Sequence, residues 1–284
     1  MLTIQERTRL EEFAAQIRMQ VMIAIASFGK GHVGGSLSIA DTLAVLYGKE
    51  LNVDPQNPDW EDRDRVVLSK GHSGPALYAA LALKGYFPLE MLKTLNQNGT
   101  NLPSHADRLK TPGVDVTTGS LGQGASTSIG LALADKNDGK TGVYTYLILG
   151  DGECQEGQVW ESALFAVQRK LNNLITFVDA NKKQLDGYVQ DICDLKNLAE
   201  KFTAFGYNTI ETKDGHDVGE IYNAIKNAKK CTDRPSVIIL NTVKGKGVSR
   251  YETMFSNHSA AVTKENLEEA LCELCFKGGE CQGG

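Results

Sequence analysis

The stretch Val143-Tyr144-Thr145-Tyr146-Leu147-Ile148-Leu149-Gly150-Asp151-Gly152, followed later by Leu174-Ile175-Thr176-Phe177-Val178-Asp179-Ala180-Asn181, decides how this chain folds. Val143 to Leu149 and Leu174 to Val178 are apolar runs of strand length, and each ends in a polar tip. Gln158 to Lys170, between them, has helical spacing. The unit is a strand-helix-strand crossover of a parallel sheet, so both tips emerge at one sheet edge. An acid on one loop and an amide on the next can jointly hold a hard cation through oxygen ligands, leaving positions for water and for a diphosphate. Gly150-Asp151-Gly152 alone reads as a tight turn; the spacing, the strand context and the closing Asn181 turn that reading toward a site.

Working outward, Thr3 and Glu6 stand at capping-box spacing, and Leu10, Phe13, Ala14, Ile17 and Val21 share one face of a long helix to about Ser27. Gly29 to Ser36 is a glycine-rich turn, and a second apolar helix runs through Leu43 and Leu46. After an acidic loop over Asp54 to Asp64, the short strand Val66-Val67-Leu68 ends in Ser69-Lys70-Gly71-His72-Ser73-Gly74-Pro75 and a new helix. Asn96 to Gly119 is too long for an ordinary connection, which favours a functional loop. Asn208 to Ile210, a helix over Val218 to Lys229 and the strand Val237 to Leu240 continue the alternation. The expected fold class is α/β, a mostly parallel sheet with helices on both faces. One domain is expected over residues 1–270, with a flexible tail over 271–284 that contains Gly and Cys.

Composition narrows the function. With 284 residues, 41% of them hydrophobic, the chain can bury a large core. A net charge of −5 without a clustered basic face argues against nucleic acid as partner. The N-terminus shows no secretory leader, and no apolar run approaches the roughly 18 residues that suggest a membrane span. A cytoplasmic protein with reduced thiols and no membrane partner is expected, since six scattered cysteines make no disulfide framework. Cys272, Cys275 and Cys281 would need a fourth ligand to hold a metal, and a loose tail is the favoured reading.

Four of the five histidines, His32, His72, His105 and His258, lie in Gly-, Pro- or Ser-containing loops, where they can converge on the ligand edge of an α/β sheet. Neutral imidazoles there would move protons for chemistry on a polyhydroxylated carbonyl compound. His216, in a turn beside a helix start, reads as mainly structural. Gly119-Ser120-Leu121-Gly122-Gln123-Gly124 precedes a small-residue helix over Ala125 to Ala134, and either close ligand approach or close helix packing explains it. It is neither a dinucleotide fingerprint nor a Walker loop. The lysines of Val243-Lys244-Gly245-Lys246-Gly247 read as phosphate contacts or, more simply, as solvated side chains.

Taken in order, Gly31-His32, Ser69-Lys70-Gly71-His72-Ser73, Pro103-Ser104-His105, Gly119 to Gly124, Gly150-Asp151-Gly152-Glu153-Cys154-Gln155-Glu156-Gly157 and Asp179-Ala180-Asn181 resemble the N-terminal, diphosphate-binding half of the transketolase family. The resemblance covers residues 10 to 262. It implies a thiamine diphosphate-binding fold, with Mg2+ as the cofactor's metal and Ca2+ or Mn2+ as substitutes. Asp151, the Asn181 side chain and the Lys183 carbonyl would be metal ligands. His72, Gly119, Leu121, Gly152, Asn181, Leu185 and His258 would contact the cofactor. His32, His105 and His258 would be the catalytic residues lining the ketose channel. Glu156 would lie at the subunit interface.

Transketolases are more than twice this long, so the chain resembles the N-terminal subunit of a split transketolase. Its partner would be a C-terminal subunit carrying the pyrimidine-binding and C-terminal domains, assembled as a heterotetramer of two copies of each chain. The implied reaction transfers a two-carbon ketol group from a ketose donor to an aldose, with sugar phosphates as substrates. The alternatives are another thiamine diphosphate enzyme, such as a deoxyxylulose phosphate synthase or a 2-oxoacid dehydrogenase component, and a noncatalytic diphosphate-binding module. Ser69-Lys70-Gly71-His72-Ser73 fits the transketolases better.

Overall fold

The computed structural model describes residues 1–185 and 187–275. Thr3 and Glu6 form the expected capping box of helix α1 (Ile4–Phe28), and Gly29 ends it at φ 93°, a left-handed conformation open to glycine. Strand β1 (Lys30–Gly31) pairs antiparallel with β7 (Ala260–Ala261), tying the first loop to the last. Where the pattern reads as one second helix, the chain forms two, α2 (Val33–Ser38) and α3 (Ala40–Val45), followed by a π-helical turn over Leu46–Glu50. Both short helices are buried on every side, so tertiary packing sets their breaks, overriding local propensity.

The remaining elements alternate: β2 (Arg65–Leu68), α4 (Gly74–Lys84), α5 (Gln123–Asn137), β3 (Thr145–Gly150), α6 (Gly157–Gln168), β4 (Leu174–Ala180), α7 (Val189–Cys193), α8 (Leu198–Phe205), β5 (Asn208–Glu211), α9 (Val218–Ala228), β6 (Ser236–Asn241), α10 (Ser249–Thr253) and α11 (Lys264–Leu274). Five strands form a parallel sheet in the order β2-β3-β4-β6-β5. Successive strand residues point to opposite faces, and the core divides accordingly. Leu68, Ile148, Phe177 and Leu240 pack with Ile17 of α1, Leu43 of α3, Leu77 of α4 and Ile221 of α9. Val67, Leu147, Val178 and Ile239 pack with Ile129 of α5, Ala163 of α6 and Phe202 of α8. The helices therefore cover both faces, and each fully buried Leu, Ile or Phe contributes about 1.5–3 kcal/mol.

Register fixes what happens at the carboxyl edge. Gly150 pairs with Asp179, and Asp179 with Leu240, so the loops after β3, β4 and β6 open side by side. The boundary drawn at residue 270 falls inside α11, which continues to Leu274 because Ala270 and Leu274 both pack into the core. Cys272 belongs to this helix; residues 276–284, with Cys281, lie outside the described residues. Among the described residues no helix is long and apolar enough to cross a membrane, and no three His, Cys, Asp or Glu side chains are grouped to hold a metal.

Candidate active site

Four loops bring the four loop histidines to one place. His32 sits at the start of α2, His72 in the 3-10 turn Gly71–Ser73, His105 in the long irregular segment and His258 just before β7. The His32 ring centroid lies 5.5 Å from His72, 5.4 Å from His105 and 5.2 Å from His258, and His72 and His258 are 4.6 Å apart. Burial, joined by the nearby His105 and the Lys244 ammonium, lowers His32 to about 4; burial and Lys244 lower His258 to about 3. Burial and Lys70 hold His72 far below the usual imidazole range, and burial lowers His105. All four are neutral at pH 7 and can donate or accept single hydrogen bonds.

They line a cavity of about 350 Å³, and every residue nominated from the sequence for cofactor, metal or interface lines it too. Gly119 and Leu121 form one wall. Gly152 stands against Gln184, whose Cβ would lie 2.9 Å from a Cβ built on the glycine, so a side chain there displaces the facing loop. Leu185 and Glu156 are exposed, and Glu156 opens α6 without a side-chain cap bond. The Gly119 to Gly124 cluster serves both readings. Gly119 lies against the His105 ring, whereas a Cβ on Gly124 would come within 2.7 Å of the Ser69 Cα, so that glycine lets α5 pack on the strand end.

Asp151 is buried, and burial with the neighbouring Asp179 pushes its carboxyl up to about 7. It accepts the N–H of Gly152 at 2.8 Å and of Lys182 at 2.5 Å. Asn181 Oδ1 accepts the Lys183 N–H at 3.1 Å, while its amide donates to Asp179 at 2.7 Å. The Lys183 carbonyl accepts Lys244 Nζ at 3.0 Å. One carboxylate, one amide oxygen and one carbonyl make a hard, all-oxygen donor set that suits Mg2+ or Ca2+ over softer metals. A buried carboxylate whose ionised form is disfavoured gains from a cation. The buried Gln184 Oε1, which lacks a hydrogen-bond partner, lines the same cavity. The residues present fit a metal-held anion.

Four side chains were missed as site residues by sequence reasoning. Lys244 resolves the ambiguity of its loop: it is 3% exposed, enters the cavity and stands 3.4 Å from His258 Nδ1, whereas Lys246 stays half-exposed. Burial and Lys70 lower its ammonium to about 8. Lys70 and Asp179 form a buried ion pair at 2.6 Å. Asp179 also accepts from Ser38, Thr242 and Asn181, and though burial pushes its carboxyl up, Lys70 brings it below the ordinary range. Glu153 accepts from Ser69 Oγ and from the N–H groups of Gly122 and Gly150, fastening three cavity loops to one carboxylate. Lys70, Glu153 and Asp179 stood inside the motifs quoted for the resemblance, but only their tertiary contacts reveal roles. A second cavity, about 500 Å³, opens beyond Lys182 among Tyr188, Lys196 and Glu211, and none of the histidines reaches it.

Comparison with known proteins agrees with this geometry. The family described as transketolase, thiamine diphosphate binding domain, matches residues 10–280. The 6-deoxy-6-sulfo-D-fructose transketolase subunit SqwG of Clostridium sp. (strain MSTE9) is 51% identical over 274 residues, covering 96% of this chain and 99% of that protein. An apulose-4-phosphate transketolase subunit of Phocaeicola vulgatus is 37% identical over 244 residues and 86% of each chain. The transketolase structure from Campylobacter jejuni superposes with a TM-score of 0.88 at 33% identity, over 96% of this chain but 43% of that one. Matched along nearly its whole length to separately encoded subunits and to less than half of a full-length enzyme, the chain belongs to the transketolase family as an N-terminal, thiamine diphosphate-binding subunit.

Proposed function

We propose that this chain is the diphosphate-binding half of a two-chain, magnesium-dependent transketolase that moves a two-carbon ketol unit from a ketose bearing a terminal anion to an aldose. The observation that carries this reading is the convergence, in one cavity, of four neutral histidines, Lys70 and Lys244, and the Asp151-Asn181 oxygen donors. When bound, thiamine diphosphate would supply a carbon nucleophile for chemistry at the ketose carbonyl. Asp151, Asn181 and the Lys183 carbonyl would hold the metal. Lys244 and His72 would face the diphosphate, where the buried Lys244 ammonium is worth more than an exposed one. Gly119, Leu121, Gly152 and Leu185 shape the walls around the cofactor.

His32, His105 and His258 line the ketose channel and orient its hydroxyls. His258 Nδ1 faces the Lys244 ammonium at 3.4 Å, so that nitrogen accepts and Nε2 keeps the proton, ready for a substrate oxygen. The partner supplies the other cofactor-binding half, and the exposed Glu156 meets it or a second copy at the interface. The assembly is a heterotetramer in the cytoplasm, a setting supported by composition. The 51% identity to the SqwG subunit supports a sulfonated ketose as donor, ahead of a sugar phosphate.

Mixing the purified chain with its C-terminal partner, Mg2+ and thiamine diphosphate tests the reading, using 6-deoxy-6-sulfofructose, fructose 6-phosphate and apulose 4-phosphate as donors. Ketol transfer by the mixture but by neither chain alone is expected, with two copies of each chain by light scattering. Full transfer by the isolated chain would overturn it.

A further inference from the structure

His216, in the turn before α9, takes no part in the reaction just described, yet its side chain is only 7% exposed and lies between two partners. Nδ1 is 2.8 Å from Asp41 Oδ2, and the Val243 N–H donates to Nε2 at 2.8 Å. A ring nitrogen that accepts from an amide N–H carries no proton, so the hydrogen sits on Nδ1 and points at Asp41. Asp41 on α3 also receives both terminal nitrogens of the Arg18 guanidinium from α1. Burial pushes the Asp41 carboxyl up, but Arg18 and His216 bring it below the ordinary range, so it is an anion throughout the neutral pH range. Arg18, Asp41 and His216 thus form a buried relay from the helical layer to the backbone at Val243.

Val243 begins the strap that carries Lys244 into the cavity. Downstream the strap is held fast. The Lys244 carbonyl accepts from Asn257 at 3.0 Å, and the Gly245 N–H donates to the Gly34 carbonyl at 3.0 Å. Gly245 has φ 91°, and a Cβ there would lie 2.5 Å from the Tyr251 carbonyl oxygen. With its far end pinned and Thr242 held upstream by its hydroxyl on Asp179, the Val243 amide at the strap's entry is fastened by the His216 acceptor.

We propose that His216 is a positioning residue: by accepting the Val243 N–H from a ring locked in one tautomer by Asp41, it fixes where Lys244 Nζ stands against the Lys183 carbonyl and His258. The functional half of this proposal rests on Lys244 facing the cofactor's diphosphate. Two conservative variants separate the relay's halves. His216→Gln keeps an acceptor for Val243 but loses the Asp41 bond, whereas His216→Asn keeps a donor for Asp41 but cannot reach Val243.

Deuterium exchange of the Val243–Gly247 amides in the cofactor-free chain, and calorimetric titration of thiamine diphosphate with Mg2+ into the assembled two-chain enzyme, read the two levels. Faster exchange and about fivefold weaker binding are expected in His216→Asn, with both near wild type in His216→Gln, and with kcat at saturating cofactor retained in each. Equal behaviour of the two variants, changed or unchanged, would reduce His216 to general packing and overturn the proposal. Lys244→Met distinguishes the underlying reading: unaltered cofactor affinity in that variant removes Lys244 from the diphosphate and overturns the functional half, even where the exchange contrast persists.

Discussion

Asp151 shows how a residue proposed to serve the site can be costly to the fold. It sits in a nearly dry place beside a second carboxylate, and its raised titration records the cost of ionising it there. Removing a group that merely supports a metal ligand commonly costs roughly 10–100-fold in metal affinity or activity, and Asp151 is proposed as a ligand itself. Asp151→Ala is therefore expected to lower ketol transfer by about 100-fold or more at ordinary Mg2+, measured with the partner subunit. The same variant, freed of a disfavoured buried charge, is expected to unfold in the cofactor-free state no earlier than wild type above pH 7, measured by thermal circular dichroism. Retained activity would remove the residue from the site. The sequence nominated Asp151 because an acid after an apolar run stands out; it could not single out Lys244, because two lysines in one glycine-rich loop look alike until burial separates them.

Between elements, the decisive contact is the Lys70–Asp179 pair, which joins the loop after β2 to the end of β4 across the intervening β3. Neither side chain is exposed enough for water to replace its partner. Breaking a buried pair from one side leaves a charge without its counterion, a loss of about 3–5 kcal/mol. Lys70→Met is expected near the lower end, about 3 kcal/mol by urea unfolding, because Ser38, Thr242 and Asn181 still donate to Asp179. The double variant with Asp179→Asn is expected to lose less than the sum of the single losses, since the pair couples the two positions. A Lys70→Met loss below about 1 kcal/mol would show that those three donors already satisfy the carboxylate. Strands and most helices were legible from period and length, but the break at Ile39 was not, because a segment buried all round offers no polar face to mark where one helix stops.

At the scale of the molecule, four loops far apart in sequence assemble a pocket whose partial burial keeps imidazoles neutral, and that has a pH signature. A histidine whose folded titration lies below the unfolded value near 6.5 adds stability that is complete above 6.5 and is lost as pH falls below it, because the unfolded chain then binds the proton more tightly. His72, the most strongly lowered of the four, is expected to carry part of the acid sensitivity. The loss of stability between pH 7 and pH 5, followed by urea unfolding, should be smaller in His72→Asn than in wild type, by up to about 1.4 kcal/mol per pH unit below 6.5. An unchanged slope would mean that His72 titrates alike in both states. By itself the sequence determined the alternating parallel architecture, because strand period, helix caps and glycine-rich turns are local and survive without partners, while the identity of most cavity-lining residues came through the family resemblance that its ordered motifs carry. Tertiary structure alone decided which lysine enters the cavity, which glycine packs a helix and which carboxylates hold loops together. Those outcomes depend on burial and on contacts between residues distant along the chain, such as Glu153 with Ser69 or His216 with Asp41. Only folding creates the low dielectric in which such contacts acquire their strength.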